Sequence, residues 1–474
     1  MASTELLAQI TPKSTPSSDL EKEVREKTVK YGSKFMRLIW TDYSALVRAR
    51  VVTLGRFFDS VAMKGTPVFG GAMALPIMYD SVPSSIGDAG VSGGVIMKPD
   101  FRSSKPCPWH PAHYMTMGNL FIPDGKGGHK PWALCPRSFL QTQLDRMKSQ
   151  FGYDVIAGVE NEFILYKSAD DKGNVVPINL TNYSETAGLR GDIAGLFDTI
   201  VEGIIEGGIP MGQYHTECAD GQYEITTAPM EAMALADATI YIREVIHGVA
   251  AKHGINATFS PKVFPDQAGS ASHIHFSFRD AAGKNVYPDP NEKYGISKHG
   301  QAFMAGILEH LPSMIAITLP SAASYKRVVP SAWAGVFTAW GIENKETPVR
   351  VTEDTFGVVN NVEIKAVDGT ANIYLALGAI IAAGLDGMER GLTLPENTQC
   401  DPFSLSDEEK KARRITALPN TFTSSIANFK ANPLWKKVMG EDMYNMFIAA
   451  RTNEQEYFSK VSDDELRSMH VLRY

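Results

Sequence analysis

Gly158-Val159-Glu160-Asn161-Glu162-Phe163-Ile164-Leu165-Tyr166 is the stretch from which the rest of the chain is best read. It is an apolar run that carries two carboxylates two residues apart. Side chains two apart on a β-strand share a face, so Glu160 and Glu162 point the same way, roughly 6–7 Å apart. Two anions that close in an apolar strand repel, and each loses hydration, costs that divalent cations relieve. Glu-x-Glu also occurs on solvated strand faces, so the pair alone does not define a metal site.

Three further clusters lie downstream. His215-Thr216-Glu217-Cys218-Ala219-Asp220-Gly221-Gln222-Tyr223-Glu224-Ile225 sets two glutamates on either side of a turn marked by Gly221. Ser272-His273-Ile274-His275-Phe276-Ser277-Phe278 puts two imidazoles on one face of another apolar strand, and Asn361-Val362-Glu363-Ile364-Lys365 adds a further acid. Each histidine taken singly reads equally well as a satisfied core residue. Carboxylates with one or two imidazoles suit Mg2+ or Mn2+ better than Zn2+, which takes fewer ligands with more nitrogen and sulfur. Lys326, Arg327, Lys345, Arg350 and Lys365 lie between and beside these clusters, where cations clamp carboxylate and phosphate. There is no GxxxxGK[ST] or GxGxxG loop to cradle a nucleotide, and no GxSxG elbow for a serine nucleophile.

The 474 residues are a soft prior for two or three domains. With 44% hydrophobic and 21% charged residues the chain can bury a large core. A net charge of −7 argues against a nucleic-acid partner. No apolar run is long enough to span a bilayer, which argues against a membrane partner. Four scattered cysteines, Cys107, Cys135, Cys218 and Cys400, imply a reducing compartment. Met1–Glu23 lacks the apolar core of a secretory signal, and Leu472-Arg473-Tyr474 matches no retention or peroxisomal tail. A cytoplasmic location is expected.

The opening residues read as a loose polar arm that turns helical near Leu20–Tyr31. A β-hairpin follows, with strands at Phe35–Trp40 and Leu46–Val52 around Asp42-Tyr43-Ser44. Thr66–Gly94, rich in Gly, Pro, Ser and Met, reads as a long loop with short strands, and Tyr114–Phe121 with Asp124–Gly128 as a further strand and hairpin. Beyond Cys135, strands at Tyr153–Tyr166, Gly221–Thr227 and Ser272–Phe278 alternate with helices at Phe139–Gln150, Asp192–Glu206, Glu231–His253 and Ile373–Gly391. The irregular spacing predicts an α+β fold with an antiparallel sheet. The expected parts are an arm (1–25), a small domain (26–130) and a larger one (131–474).

Together these residues resemble the glutamine synthetase family over nearly the whole chain. Gly158–Phe163 resembles its first metal strand and Gly221-Gln222-Tyr223-Glu224 its second acidic motif. Lys262 with Gly269-Ser270-Ala271-Ser272-His273-Ile274-His275 resembles the ATP-site signature. Lys326-Arg327-Val328-Val329-Pro330 and Glu363-Ile364-Lys365 match the substrate and final metal motifs. Ser331-Ala332-Trp333-Ala334-Gly335 and Trp340-Gly341-Ile342-Glu343-Asn344 look most like the class I-like branch, with its γ-glutamyl-amine ligases and its fungal and plant homologues.

The resemblance implies a small N-terminal β-grasp domain on a larger catalytic domain with a curved antiparallel sheet. It also implies a homo-oligomer of stacked rings with active sites shared between neighbours. Glu162, Glu217 and Glu224 would hold one Mg2+ or Mn2+, and Glu160, His273 and Glu363 another. Arg327 would grip the α-carboxylate of glutamate in a pocket with Gly269, Glu162, Trp333 and Lys365. Lys345, Arg350 and Lys365 would face the phosphoryl group, and His215, His275, Ser277 and Arg350 the ATP side. The implied activity is an ATP-dependent ligase that joins the γ-carboxylate of glutamate to an amine through γ-glutamyl phosphate.

Two departures fall on the amine pocket. Phe69-Gly70-Gly71-Ala72-Met73 lacks the aspartate of the family's ammonium loop, and Trp333 stands where the family has its flap glutamate. An ammonium ion needs anions, whereas an indole suits an amine that carries carbon, so an amine other than ammonia is expected. Lys345, Asn361 and Lys365 stand where the family usually has arginine, and lysine does not reproduce the bidentate fork. Gly212 and Ala268 replace an acid and an asparagine. The alternatives are ordinary glutamine synthesis and a non-catalytic scaffold or developmental protein.

Overall fold

Alternating apolar residues fold into two sheets, which a computed structural model describes over residues 4–78 and 94–474. The first sheet is built from Phe35–Thr41 (β1), Val47–Thr53 (β2), Thr66–Phe69 (β3), Gly94–Pro99 (β4), Lys105–Pro106 (β5), His113–Pro123 (β6) and His129–Pro131 (β7). Its order is β2-β1-β6-β4-β3, with β5 and β7 also on β6. The expected hairpin is present as β1–β2. β1 runs parallel to β6, while the other pairs are antiparallel. Of the expected long loop at Thr66–Gly94, β3 and a tight turn at Gly70–Ala74 are observed, and residues 79–93 lie outside the described residues.

The second sheet is built from Asp154–Ala169 (β8), Val175–Pro177 (β9), Met211–Thr216 (β10), Gln222–Thr227 (β11), Met230–Glu231 (β12), Asn256–Thr258 (β13), Ser272–Arg279 (β14), Trp340–Ile342 (β15), Val349–Glu353 (β16) and Val359–Ile364 (β17). Its order is β10-β11-β8-β14-β17-β16-β15, antiparallel except for β15 beside β16. Its apolar face buries Val159, Phe163, Tyr223, Ile225, Ile274, Phe276, Val349, Val351, Val362 and Ile364. The architecture is the α+β class expected.

Helices at Pro136–Phe151, Asp192–Glu206, Ala232–Lys252 and Ile373–Arg390 match the expected ones within a few residues. A long buried helix at Lys298–Thr318 was not anticipated. It crosses Ile373–Arg390 closely, because a Cβ on Gly306 would lie 2.2 Å from the Ala383 carbonyl oxygen and 2.7 Å from the Gly387 nitrogen.

The expected loose arm needs correction. Thr4–Ile10 is helical, and a Cβ on Gly55 would lie 2.4 Å from the Gln9 carbonyl oxygen. The Lys13 and Ser14 N–H groups both donate to Asp59 at 2.7 Å. These contacts give the polar segment partners that its composition does not advertise. Its second helix runs Asp19–Lys30, with Ser18 capping the Glu21 N–H.

Polar contacts tie the first sheet to the rest. Arg137 bridges Asp100 and Asp237 at 2.8 and 2.9 Å. In the turn between β1 and β2, the Ser44 hydroxyl donates to Glu454 Oε1 and accepts from Arg451, each at 2.7 Å. Among the described residues no helix is long and apolar enough to cross a membrane.

Candidate active site

Register places the charged residues on one face. Directly opposed residues of an antiparallel pair share a face, as do residues two apart on a strand. His215 on β10 faces Glu224 on β11, which faces Glu162 on β8. Glu160, two residues before Glu162, faces His273 on β14. His275, two further along β14, faces Glu363 on β17, which faces Arg350 on β16. Ser277 continues the same row on β14, and Lys365 follows Glu363 by two.

Side-chain distances close this row into one site. His273 Nδ1 lies 3.1 Å from Glu160, 3.3 Å from Glu363 and 3.9 Å from Glu162. His275 Nε2 lies 3.2 Å from Glu160, and its Nδ1 2.7 Å from Asn361 Oδ1. His215 lies 3.2 Å from Glu224 and 3.7 Å from Glu217. Arg350 and Lys365 converge on Glu363 at 2.9 and 3.6 Å.

Among the described residues, three groups of donors on this face are compact enough to hold an ion: Glu160–Glu224–His273, Glu160–His275–Glu363 and His215–Glu217–Glu224. Glu162 lies on the same face but in none of the three. Its Oε2 accepts the Ala271 N–H at 3.0 Å and the Gln222 amide at 3.1 Å. A fourth group, Glu309–His310–Asp386, lies elsewhere, and Arg390 pairs with both of its acids.

The electrostatics are those of a face built for cations. Burial, then Glu224 and Glu217, raise the Glu162 carboxyl, and burial also raises Glu217 and Glu224. Against the cost of burial, hydrogen bonds from His273 and His275 hold Glu160 low, and Lys365 and the same imidazoles hold Glu363 low. The hydrogen bond to Glu224 lifts His215 to about 9. Burial opposes the charge of His275, yet Glu160 and Glu363 lift it to about 9. Burial takes His273 down to about 4, and its Nε2 is buried without a partner. Hard oxygen donors, mutual repulsion and an unused imidazole nitrogen fit divalent cations.

Arg327 is buried beside the row. Among the described residues its Nη2 makes only long contacts, 3.5 Å to the Lys365 carbonyl and 3.4 Å to that of Val367, and its Nε has no partner. Gly269 is packed on its stem, since a Cβ there would lie 2.3 Å from Arg327 Cγ. Gln222 also donates to the Gly269 carbonyl at 3.0 Å, which ties that loop to Glu162.

Lys345 stands apart from Arg350 and Lys365. It is exposed, with Nζ 5.8 Å from the centre of the Tyr183 ring, which packs edge-on against His215 at 5.4 Å. Trp333 is 56% exposed on the loop after Arg327 and donates its N–H to Glu346 at 3.2 Å. Sequence reading missed Tyr183 and Glu346 as neighbours of the site, and Asn361 as the partner of His275. Strand alternation two residues before Glu363 was a signal for Asn361; the irregular segments of the other two carry none.

Comparison with known proteins agrees with this architecture. The family model for the glutamine synthetase catalytic domain matches residues 133–469. Type-1 glutamine synthetase 1 of Dictyostelium discoideum is 31% identical over 91% of this chain and 88% of its own. A gamma-glutamylpolyamine synthetase of Streptomyces coelicolor is 32% identical over 73% of this chain and 74% of its own. A crystal structure of a novel glutamine synthase homolog superposes with a TM-score of 0.80 at 25% identity, covering 93% of this chain and 99% of that one. The fold and the acidic face are those of an ATP-dependent carbon–nitrogen ligase. The chain belongs to the glutamine synthetase family.

Proposed function

We propose that the protein joins the γ-carboxylate of glutamate to an amine other than ammonia, with ATP and two or more Mg2+ or Mn2+ ions per site. One observation carries the ligase reading: four glutamates and three imidazoles from five strands, with Glu217 just past the end of β10, converge with Arg350 and Lys365. A glutamate oxygen attacks the γ-phosphorus of ATP, and the bond to the ADP oxygen breaks. The amine nitrogen then bonds to the acyl carbon and phosphate leaves, while the nitrogen loses a proton. The first step brings two anions together, which bound metal ions would screen and polarise.

Glu160, Glu162, Glu217, Glu224, His273 and Glu363 are the proposed metal ligands. The under-partnered guanidinium of Arg327 suits the α-carboxylate of glutamate, with Gly269 leaving room for it. Arg350 and Lys365, whose contacts to Glu363 support the reading, are assigned to the transferring phosphoryl group. His215, His275, Ser277 and Arg350 are assigned to the nucleotide side, and the more distant Lys345 to the phosphoryl group.

The amine reading rests on the acid-free Phe69–Met73 segment and on exposed Trp333, and the polyamine synthetase among the relatives favours it. We also assign residues 26–130 to a β-grasp domain that closes the site of a neighbouring copy in stacked rings, and 131–474 to the ATP and metal domain. The test is phosphate release with ATP, Mn2+ and glutamate over a panel of amines that includes ammonia. Release that depends on glutamate and a carbon-bearing amine supports the proposal. Equal or better turnover with ammonia replaces it with glutamine synthesis, and no turnover with any acceptor refutes it.

A further inference from the structure

The loop Ser331–Gly335 holds an unusual backbone for the sake of one exposed ring. Ser331, Trp333 and Gly335 all have positive φ, at 55°, 53° and 71°. For a bulky residue such as tryptophan that conformation is rare, and costs about 1–3 kcal/mol. Two acids hold the loop in it. The Trp333 N–H donates to both oxygens of Glu346, at 3.2 and 3.4 Å, and the Ser331 hydroxyl donates to Asp401 at 2.8 Å. The indole makes no ring contact with any described residue and is 56% exposed.

This loop is joined to the proposed reaction centre through backbone. A Cβ on Gly335 would lie 2.4 Å from the Pro348 nitrogen, and the Pro348 carbonyl accepts the Lys365 N–H at 2.9 Å. Glu346 lies two residues before Pro348, and its carboxylate accepts the Trp333 backbone N–H, so it links the loop to the strip that positions Lys365. Among the described residues no lysine or arginine lies within ion-pair distance of Glu346. Its carboxylate accepts no hydrogen bond there besides that of Trp333. Burial, then neighbouring Asp401, raise its carboxyl, against the Trp333 N–H and the more distant charge of Lys365, which lower it. A half-buried anion with no ion-pair partner among the described residues, bonded to the backbone of a residue whose exposed ring has no partner there, is a receptor for a cation that carries carbon.

We propose that Glu346 is the anion of the amine pocket and, with the Trp333 indole, selects a cationic alkylamine as acceptor. The inference deepens the ligase reading above and rests on it. Ammonium would use the charge of Glu346 but has no carbon to lay on the indole. An alkylamine uses both.

The bland alternative is that Glu346 only ties down the loop. Glu346→Gln separates the two, because glutamine keeps an oxygen for the Trp333 N–H and loses the charge. The experiment compares a cationic diamine, 1,4-diaminobutane, with hydroxylamine, an acceptor that is uncharged at physiological pH. Both are assayed with the full-length protein, ATP, Mn2+ and glutamate. The ratio of kcat/KM for the diamine to that for hydroxylamine should fall at least tenfold in Glu346→Gln, mainly through the KM of the diamine. Glu346→Asp should restore part of it. A ratio within twofold of wild type in Glu346→Gln overturns the inference. Wild-type protein that releases no phosphate with either acceptor overturns instead the ligase reading on which it rests.

Discussion

Replacing Glu162 with glutamine should have opposite effects on the metal-free and metal-bound protein. Glu162 and Glu224 are directly opposed on β8 and β11, which sets their Cβ atoms about 4.5–5.5 Å apart. As anions about 5 Å apart they would repel by roughly 3 kcal/mol at an effective dielectric of about 20, a cost the fold meets by keeping a proton on Glu162. Burial and its acidic neighbours raise the Glu162 carboxyl in the folded state. A carboxyl raised on folding contributes stability only at acidic pH, and that contribution is lost as pH rises through the folded value. At neutral pH the group is therefore a burden on the fold. Glutamine keeps an oxygen for the Ala271 N–H and is neutral without that proton. The metal-free Glu162→Gln variant should be more stable by about 3 kcal/mol, or about 3 °C in Tm, since unfolding entropy is about 2.1 cal/mol/K per residue. Mn2+ at about 100 times its Kd should stabilise the wild type by about 2.7 kcal/mol. The variant, short of one donor, should gain less at the same concentration. Thermal melts of both proteins in chelator and in Mn2+ measure all four states. A variant that melts below wild type without metal, or that gains as much from manganese, would refute the reasoning.

Gly269→Ala puts a methyl group 2.3 Å from Arg327 Cγ and 2.4 Å from the Pro261 carbonyl oxygen. It should raise the KM for glutamate more than tenfold while costing about 1–3 kcal/mol of stability, read by initial rates and urea unfolding. Arg137→Ala leaves buried Asp237 without its cation, while Asp100 keeps Arg102. Loss of such a pair costs about 3–5 kcal/mol, so denaturant unfolding should show a correspondingly lower midpoint. Burial depresses His247 and His470 to about 4, and His470 accepts from Ser321 while donating to the Leu466 carbonyl. Both are neutral in the folded state and take up protons on unfolding, so stability is full above about pH 6.5 and falls as pH drops towards about 4. Urea titrations across that window should give a flatter pH dependence for His470→Gln than for wild type.

The parts of the fold legible in the sequence are those where one period dominates. The alternation in Gly158–Tyr166 and Ser272–Phe278 gave both strands and the shared face of their acids and imidazoles. The helix at Asp192–Glu206 was read to the residue. Lys298–Thr318 was not read, because it is buried on nearly every side and carries Pro312, so neither an amphipathic stripe nor an unbroken run marks it. The helices at Phe422–Ala431 and Glu441–Phe458 were likewise left unassigned. Glu346 and Tyr183 were invisible for a different reason. They reach the site from irregular segments, where no periodicity fixes the direction of a side chain.

The same alternation separates what holds the sheet together from what it is for. On β8, β11, β14 and β17 one set of residues is Val159, Phe163, Tyr223, Ile225, Ile274, Phe276, Val362 and Ile364, and all are buried. That set is sufficient to pack the sheet on its helices. The interleaved set is Glu160, Glu162, Glu224, His273, His275 and Glu363, of which Glu162, Glu224, His273 and Glu363 are also buried and Glu160 and His275 partly so. A scaffold gains nothing from that second set, because replacing buried ionic groups with apolar ones of similar volume is often neutral or stabilising by about 1–4 kcal/mol. Nor do the acids satisfy one another, since Glu162, Glu217 and Glu224 are all pushed towards their neutral forms. Glu160 and Glu363 are held as anions by His273, His275 and Lys365, but the Glu162, Glu217 and Glu224 group costs the metal-free fold stability and is explained by what binds to it. This weighs against a protein that keeps the architecture of a ligase without its ions.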